Sequence, residues 1–257
     1  MAPVVTRIAI APVKSLGLVH RDEVELGPLG VAGNRRFWLA DGDGRLYNNK
    51  RNGPLVRIRP DWNEETRDLT LTFPDGARVA GTVELGPPTE VEMYGYRIPS
   101  RSVVGPWEQA ISDFAGERLT LLWADDCAPD RLHAGTASIV SRASLDRLAE
   151  ECGEDGLDAR RFRMLFEIDG VDAHEEDGWI GGRVRIGSAT VQLNGDVGRC
   201  AVTTHDPETG VATVDTLKAL ARYRREGRTE PLPFGVYGSV VDPGLVRVGD
   251  PIAVALY

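Results

Sequence analysis

The sequence predicts a β-rich α/β fold, and three observations predict it. Short alternating segments broken by Gly, Pro and Asp dominate the first part of the chain. Two of these segments turn on Asp-Gly, a strong local hairpin signal. Three segments with helical period follow, and they do not alternate regularly with strands, which excludes a doubly wound parallel sheet.

Taken in order, "VVTRIAIAP" alternates as a strand. "RRFWLADGDGRLYNN" and "DLTLTFPDGARVAG" each read as two strands about a tight turn. "PPTEVEMYGYRIPSRSV" is poor in apolar residues and rich in turn formers, so it is expected to join two units, residues 1–95 and 96–257. "GPWEQAISDFAG" has Pro106 at its start and Gly116 at its end, the expected asymmetry of a helix. "SRASLDRLAEECG" offers Ser141 or Ser144 as a cap, Leu145 and Leu148 on one face, and Gly153 as a stop. "VDTLKALARYRREG" sets Leu217, Leu220 and Tyr223 at helical spacing behind a capping Asp215. The remaining segments, "RLTLLWA", "RFRMLFEI", "RVRIGSATVQL", "GRCAVTT", "FGVYGSVV" and "LVRVGDPIAVAL", read as strands. The last of them is expected to close a barrel as strand, turn and strand.

At 257 residues, 42% hydrophobic and 27% charged, the chain has the composition of a globular protein with a substantial core. A net charge of −9 argues against nucleic acid as a partner, since a phosphate-backbone surface needs a basic face. No run approaches the roughly 20 apolar residues that span a bilayer, and the start lacks the pattern of a signal peptide. No membrane and a cytoplasmic location are therefore the expectation. Cys127, Cys152 and Cys200 are odd in number and far apart, against a disulfide framework or a four-cysteine metal centre. The four histidines are scattered, and no phosphate-loop or dinucleotide glycine pattern follows a strand.

Cys200, in "GDVGRCAVTTHDPETG", is the pivotal residue. A lone cysteine in a strand is by default a small core hydrophobe. Here Gly198 would share its face and leave room beside the sulfur, with Arg199 on the other face; a break of the strand at that glycine would swing Arg199 to the same side and favour a thiolate. His205 is near in sequence, but no spacing rule makes it a base for the thiol. In "PVKSLG", Lys14 and Ser15 lie at a strand end, where an ammonium and a hydroxyl can hold a phosphate. Arg35 and Arg36 are expected on opposite faces of one strand, and Arg161 and Arg163 on one face of another with Phe162 behind. The carboxylates of "HEEDGW" read as a solvated turn.

The order of these fragments is more specific than any one of them. "PVKSL", "RRFWLAD.DG", "IVSRASLDRLAE", "RFR", "HEEDGW", "GRCAVTTHDPETG" and "FGVYGSVVDPGLVRVGD", in this succession, resemble the MOSC family, and in particular its two-part amidoxime-reducing group. The resemblance implies an N-terminal β-barrel-like segment, then a mixed β-barrel with a few peripheral helices. It implies a molybdenum cofactor, with Cys200 as the protein's thiolate ligand to molybdenum. Lys14, Ser15, Arg36, Arg163 and Arg199 match positions that hold the cofactor. It further implies an oxidoreductase acting on N-hydroxylated or N-oxide-type small molecules, fed by an external electron donor, a reductase or a ferredoxin- or cytochrome-type carrier. The alternatives are a cofactor carrier, a sulfur-transfer module holding a persulfide on Cys200, and a barrel that has lost its cofactor. Two departures bear on the site: Leu165 stands where the amidoxime-reducing group often has an asparagine, so one polar cofactor contact is absent or moved, and Gly198 replaces a more polar neighbour two residues before the cysteine.

Overall fold

The computed structural model describes residues 2–125 and 132–255, so Cys127 lies outside the described residues. The fold is the β-rich architecture expected, a curled mixed sheet beside an N-terminal barrel segment, with helices at the periphery. Eight strands make the larger sheet, in the order Ile252–Ala255, Arg183–Ile186, Ala189–Gly198, Pro233–Asp242, Ala137–Ser141, Phe166–Asp169, Val4–Ile10 and Val19–Arg21. Ala137–Ser141 and Phe166–Asp169 run parallel, with the helix Arg142–Cys152 between them in sequence, while the other pairs are antiparallel. A five-stranded sheet runs Glu84–Met93, Tyr96–Val104, Leu119–Trp123, Phe37–Asp41 and Leu46–Tyr47. Two three-stranded sheets complete the fold.

The three helices form where their caps and periods place them. α1 spans Trp107–Ala115 and ends on left-handed Gly116. α2 spans Arg142–Cys152; the Ser141 hydroxyl accepts from the Ser144 amide, and left-handed Gly153 ends it. α3 spans Thr216–Tyr223, capped by the Asp215 carboxylate, which accepts from the Lys218 amide.

Several segments differ from the sequence expectation. Residues 87–103 are no linker: they lie in one antiparallel hairpin, Glu84–Met93 with Tyr96–Val104, whose turn is at residues 94 and 95. Its alternation is hard to read because one face is largely exposed and the strand pair is polar. The chain's closing strands do not pair with each other. Gly244–Arg247 joins Glu23–Gly27 in a small sheet, and Ile252–Ala255 joins Arg183–Ile186 in the large one. "GRCAVTT" is not a strand either, because the extended run ends at Gly198 and Ala201–Thr204 is a short 3-10 turn.

Among the described residues the buried apolar side chains fall into four clusters, two large and two smaller. One large core lies on the large sheet and takes Val5, Ile8, Ile10, Val24 and Leu26 from the start of the chain together with Phe166, Val191 and Val236. The other large core collects Val13, Leu16, Phe37, Leu55, Trp62 and Trp123. The chain thus leaves one core at Ile10 and enters the other at Val13, which sets Lys14 and Ser15 at the seam between them. A second seam contact is backbone on backbone. A Cβ at Gly53 would overlap the Gly210 carbonyl, and a Cβ at Gly210 would overlap Gly53 in turn. Gly210 also holds a φ of 76°, a left-handed conformation that glycine adopts without strain.

Gly53→Ala is therefore expected to destabilise the protein by about 1–3 kcal/mol through overpacking of the seam. A lowered midpoint in urea unfolding, with the slope unchanged, is the measurement that checks it.

Candidate functional site

At the seam lies a cleft of about 500 Å³ whose lining includes Lys14, Ser15, Arg163, Arg199 and Cys200. Five of the six site residues picked from the sequence therefore meet, although they come from opposite ends of the chain. The sixth does not. Arg36 is not among the residues lining this cleft; its guanidinium donates to the Ala124 carbonyl at 3.1 Å and pairs with Glu64 at 3.2 Å, over the Trp123 ring. Arg35 lines the cleft instead. The strand expected through both arginines begins only at Phe37, and Arg35 sits in a turn with φ 53°, which breaks the alternation used to place them.

Cys200 is half-buried, is not in a disulfide, and follows the last residue pair of the strand Ala189–Gly198. Its carbonyl accepts from both the amide and the hydroxyl of Thr203, each at 3.1 Å, which fixes the turn just after the sulfur. Gly198 packs against Glu230, another cleft residue, so its lack of a side chain serves close approach as well as room. Arg199 does not simply face a ligand. Its guanidinium donates to the carbonyls of Phe162 (3.0 Å) and Phe234, contacts Met164 Sδ at 2.9 Å, and stacks near both aromatic rings. These contacts brace the cysteine loop against two neighbouring segments.

Arg163 reaches the cleft by another route than the one expected. Ala159–Phe162 is a 3-10 turn, and Arg163 ends it with φ 54°, so Arg161 and Arg163 do not share a strand face. The Arg163 guanidinium donates to the Leu16 carbonyl at 2.8 Å, and its own carbonyl accepts from Arg35 at 3.1 Å. Both hydrogen bonds cross the seam. Leu165, at the position of the expected asparagine, is 2% exposed and packs in the core of the large sheet. The Leu165 amide donates to the Ser138 hydroxyl at 3.0 Å, and Ser138 lines the cleft.

The sequence reading passed over Asn49, Lys50, Tyr94 and Glu230, which also line the cleft. Asn49 and Lys50 lie in an irregular stretch after a hairpin, and Tyr94 is in the turn of the hairpin taken for a linker. No spacing marks any of them. Asn49 is 4% exposed, and its Nδ2 is buried without a hydrogen-bond partner, as is Nε of Arg161. Such buried donors are costly unless something meets them.

"HEEDGW" is not a solvated turn. Glu176 is fully buried, its Oε1 accepting from the Ser141 amide (3.1 Å) and the Ser144 hydroxyl (2.8 Å) at the start of α2. Burial pushes its carboxyl pKa up. His174 packs beside Tyr223 and Phe234, with φ 63°. None of the three carboxylates lines the cleft, so their work is structural.

Residues 2–119 match the MOSC N-terminal beta barrel domain, and residues 130–253 match the MOSC domain. The fold and its seam thus define a two-part protein of the MOSC family, to which this chain belongs. It is 28% identical to mitochondrial amidoxime-reducing component 1 of Homo sapiens over 279 residues, covering 96% of this chain and 82% of the relative. It is 25% identical to molybdenum cofactor sulfurase of Danio rerio over 269 residues, covering 90% of this chain but 31% of that longer protein. YuaD of Bacillus subtilis has a similar fold, with a TM-score of 0.51 at 14% identity over 100% of this chain and 97% of that one. At the level of the family, these relatives support a molybdenum-cofactor-associated function. Among the described residues no helix is long and apolar enough to cross a membrane.

Desolvation, with Arg224 and Arg147 adding to it, pushes the His174 imidazole from its ordinary 6.5 down to about 4. A depressed histidine gives stability that is present above pH 6.5 and lost as pH falls through about 4. Asn tolerates the left-handed backbone at this position. His174→Asn is thus expected to flatten the fall in urea midpoint between pH 7 and pH 4, whatever its offset at pH 7.

Proposed function

We propose that this chain binds the molybdenum cofactor in the Cys200 cleft and acts as an oxidoreductase on N-hydroxylated or N-oxide-type small molecules. The observation that carries this reading is the meeting of one thiol with Lys14, Arg35 and Arg163 in a cleft assembled from both ends of an acidic protein. The residues suit the group. A soft sulfur donor suits molybdenum, and the cationic wall that Lys14, Arg35 and Arg163 give this cleft suits a phosphorylated pterin.

In this reading Cys200 supplies the thiolate that ligates the metal. Arg199 positions it through the carbonyls of Phe162 and Phe234, and Thr203 fixes the turn behind it. Lys14, Ser15 and Arg163 hold the anionic part of the cofactor, and Arg35 takes the role expected of Arg36. When bound, the cofactor supplies two-electron chemistry, in which an N–OH bond is cleaved and its oxygen leaves as water with two protons and two electrons. The electrons are delivered by a separate reductase or small redox carrier. The protein's own part is to bind, orient and shield, as is usual where a cofactor carries the redox step.

The test is expression in a host that makes the cofactor, with molybdenum per chain and reduction of benzamidoxime by a chemical electron donor as the two readouts. Wild-type protein is expected to carry metal and turn over. Cys200→Ala is expected to lose turnover by about 100-fold or more, and Lys14→Gln to lower metal content by about tenfold. Sustained turnover by Cys200→Ala would sink the reading. Full metal content in the wild type without turnover would move it to the carrier or persulfide module.

A further inference from the structure

Beside the Cys200 cleft lies a second cavity, of about 610 Å³, to which no role has been assigned above. The two share Asn49, Arg161, Arg163 and Val202 as a common wall. The cysteine segment runs from one to the other. Gly198, Arg199 and Cys200 line the first, and His205, Asp206 and Glu208 line the second. The far half of the motif, "HDPETG", therefore has a place of its own.

The wall of this second cavity is cationic. Arg57, Arg59, Arg160, Arg161 and Arg163 face two carboxylates, Asp206 and Glu208. Glu208 is shared between Arg160 and Arg59, and Asp206 lies 3.9 Å from Arg161. Arg160 also pairs with Asp158 at 2.6 Å, so among the described residues five guanidinium groups meet three carboxylates, in a protein whose net charge is −9. The cavity also gathers unmet polar atoms. Asn49 Nδ2, Arg161 Nε and His205 Nδ1 are all buried and without a hydrogen-bond partner, three of eight such side-chain atoms among the described residues. Asn49 and Arg161 are 4% and 8% exposed, and two of the three atoms are obligate donors. Buried donors on a cationic wall call for an oxygen-rich anion.

We propose that the second cavity binds a carboxylate- or phosphate-bearing organic molecule, and that this anion is the handle of a substrate whose reacting end lies in the Cys200 cleft. Binding of the anion stands on the cavity alone. Its role as a substrate handle rests on the function proposed above. Arg57 is exposed, so it can capture the anion at the mouth, while Asn49 and Arg161 hold it at the wall the two chambers share.

Two measurements on the full chain test this. In the first, benzoate, phenyl phosphate and neutral benzamide are titrated calorimetrically into wild type, Arg57→Ser, Arg57→Ser/Arg160→Gln, and Lys14→Gln, each checked by thermal unfolding. Both anions are expected to bind the wild type about tenfold or more tightly than benzamide. The double variant is expected to lose about tenfold in anion affinity. Arg57→Ser, whose exposed side chain can leave the fold intact, should lose part of it, and Lys14→Gln, in the other cleft, less than the double variant. Anions that bind no better than benzamide, or binding lost in Lys14→Gln and kept in the double variant, would overturn the site. In the second, cofactor-loaded enzyme is given benzamidoxime and 4-carboxybenzamidoxime. The double variant is expected to lose its preference for the carboxylate by about tenfold, through KM rather than kcat. An unchanged preference overturns the handle. Absence of turnover with either compound overturns the proposed function, while the calorimetric result still decides the site.

Discussion

The molecule depends on how its two large cores are laced together. Arg163 reaches across to the Leu16 carbonyl while its own carbonyl receives Arg35, so one residue is held from both directions by groups 147 and 128 positions away. Guanidinium groups on main-chain carbonyls suit this task, since a fixed planar fork with several donors leaves little freedom to slide. The glycine pair at residues 53 and 210 adds a contact without side chains, where the two backbones meet directly. Between these ties the chain crosses from core to core at Ile10 and Val13, and the cleft is what the seam leaves open. Loosening any tie would displace cationic groups relative to the thiol, so architecture and chemistry are one problem here.

Much of the layout was legible because local physics decides it. Capping serines and aspartates, terminal glycines and Asp-Gly turns act within a few residues, and α1, α2 and α3 lie where those signals stand. The hairpin at residues 84–104 was hidden because its exposed strands lack an apolar stripe. The site was legible in part. The succession of motifs selected Lys14, Ser15, Arg163, Arg199 and Cys200, which the seam brings together. Alternation then failed for the arginines, since positive φ at Arg35 and Arg163 turns the chain where a strand had been assumed. Asn49, Lys50, Tyr94 and Glu230 join the cleft by tertiary placement, which no spacing rule reaches.

Arg199 and Glu176 show how a charged residue can be read in two ways. Arg199 precedes the cysteine and lines its cleft, yet its guanidinium contacts Phe162, Met164 and Phe234. Glu176 belongs to a run of three acids, yet it is buried against the start of α2, where Ser141 and Ser144 meet one of its oxygens. In both cases the charge organises backbone, and that is what keeps a loop or helix end in one place.

The first strand carries a consequence for how the protein comes into being. Val4–Ile10 pairs with Phe166–Asp169, Val4 bridges to Pro251, and the Val5 amide donates to Asp250 at 3.0 Å. During synthesis this strand can meet Val19–Arg21 early, but its other edge stays open until Phe166–Asp169 has emerged, and its start until residues 250 and 251 have. Such distant pairings fold slowly and leave apolar edges open in the interval. The large sheet therefore closes on its first strand only after residues 166–169 have been made, and the seam waits for Arg163 and Cys200 to meet Lys14 and Leu16.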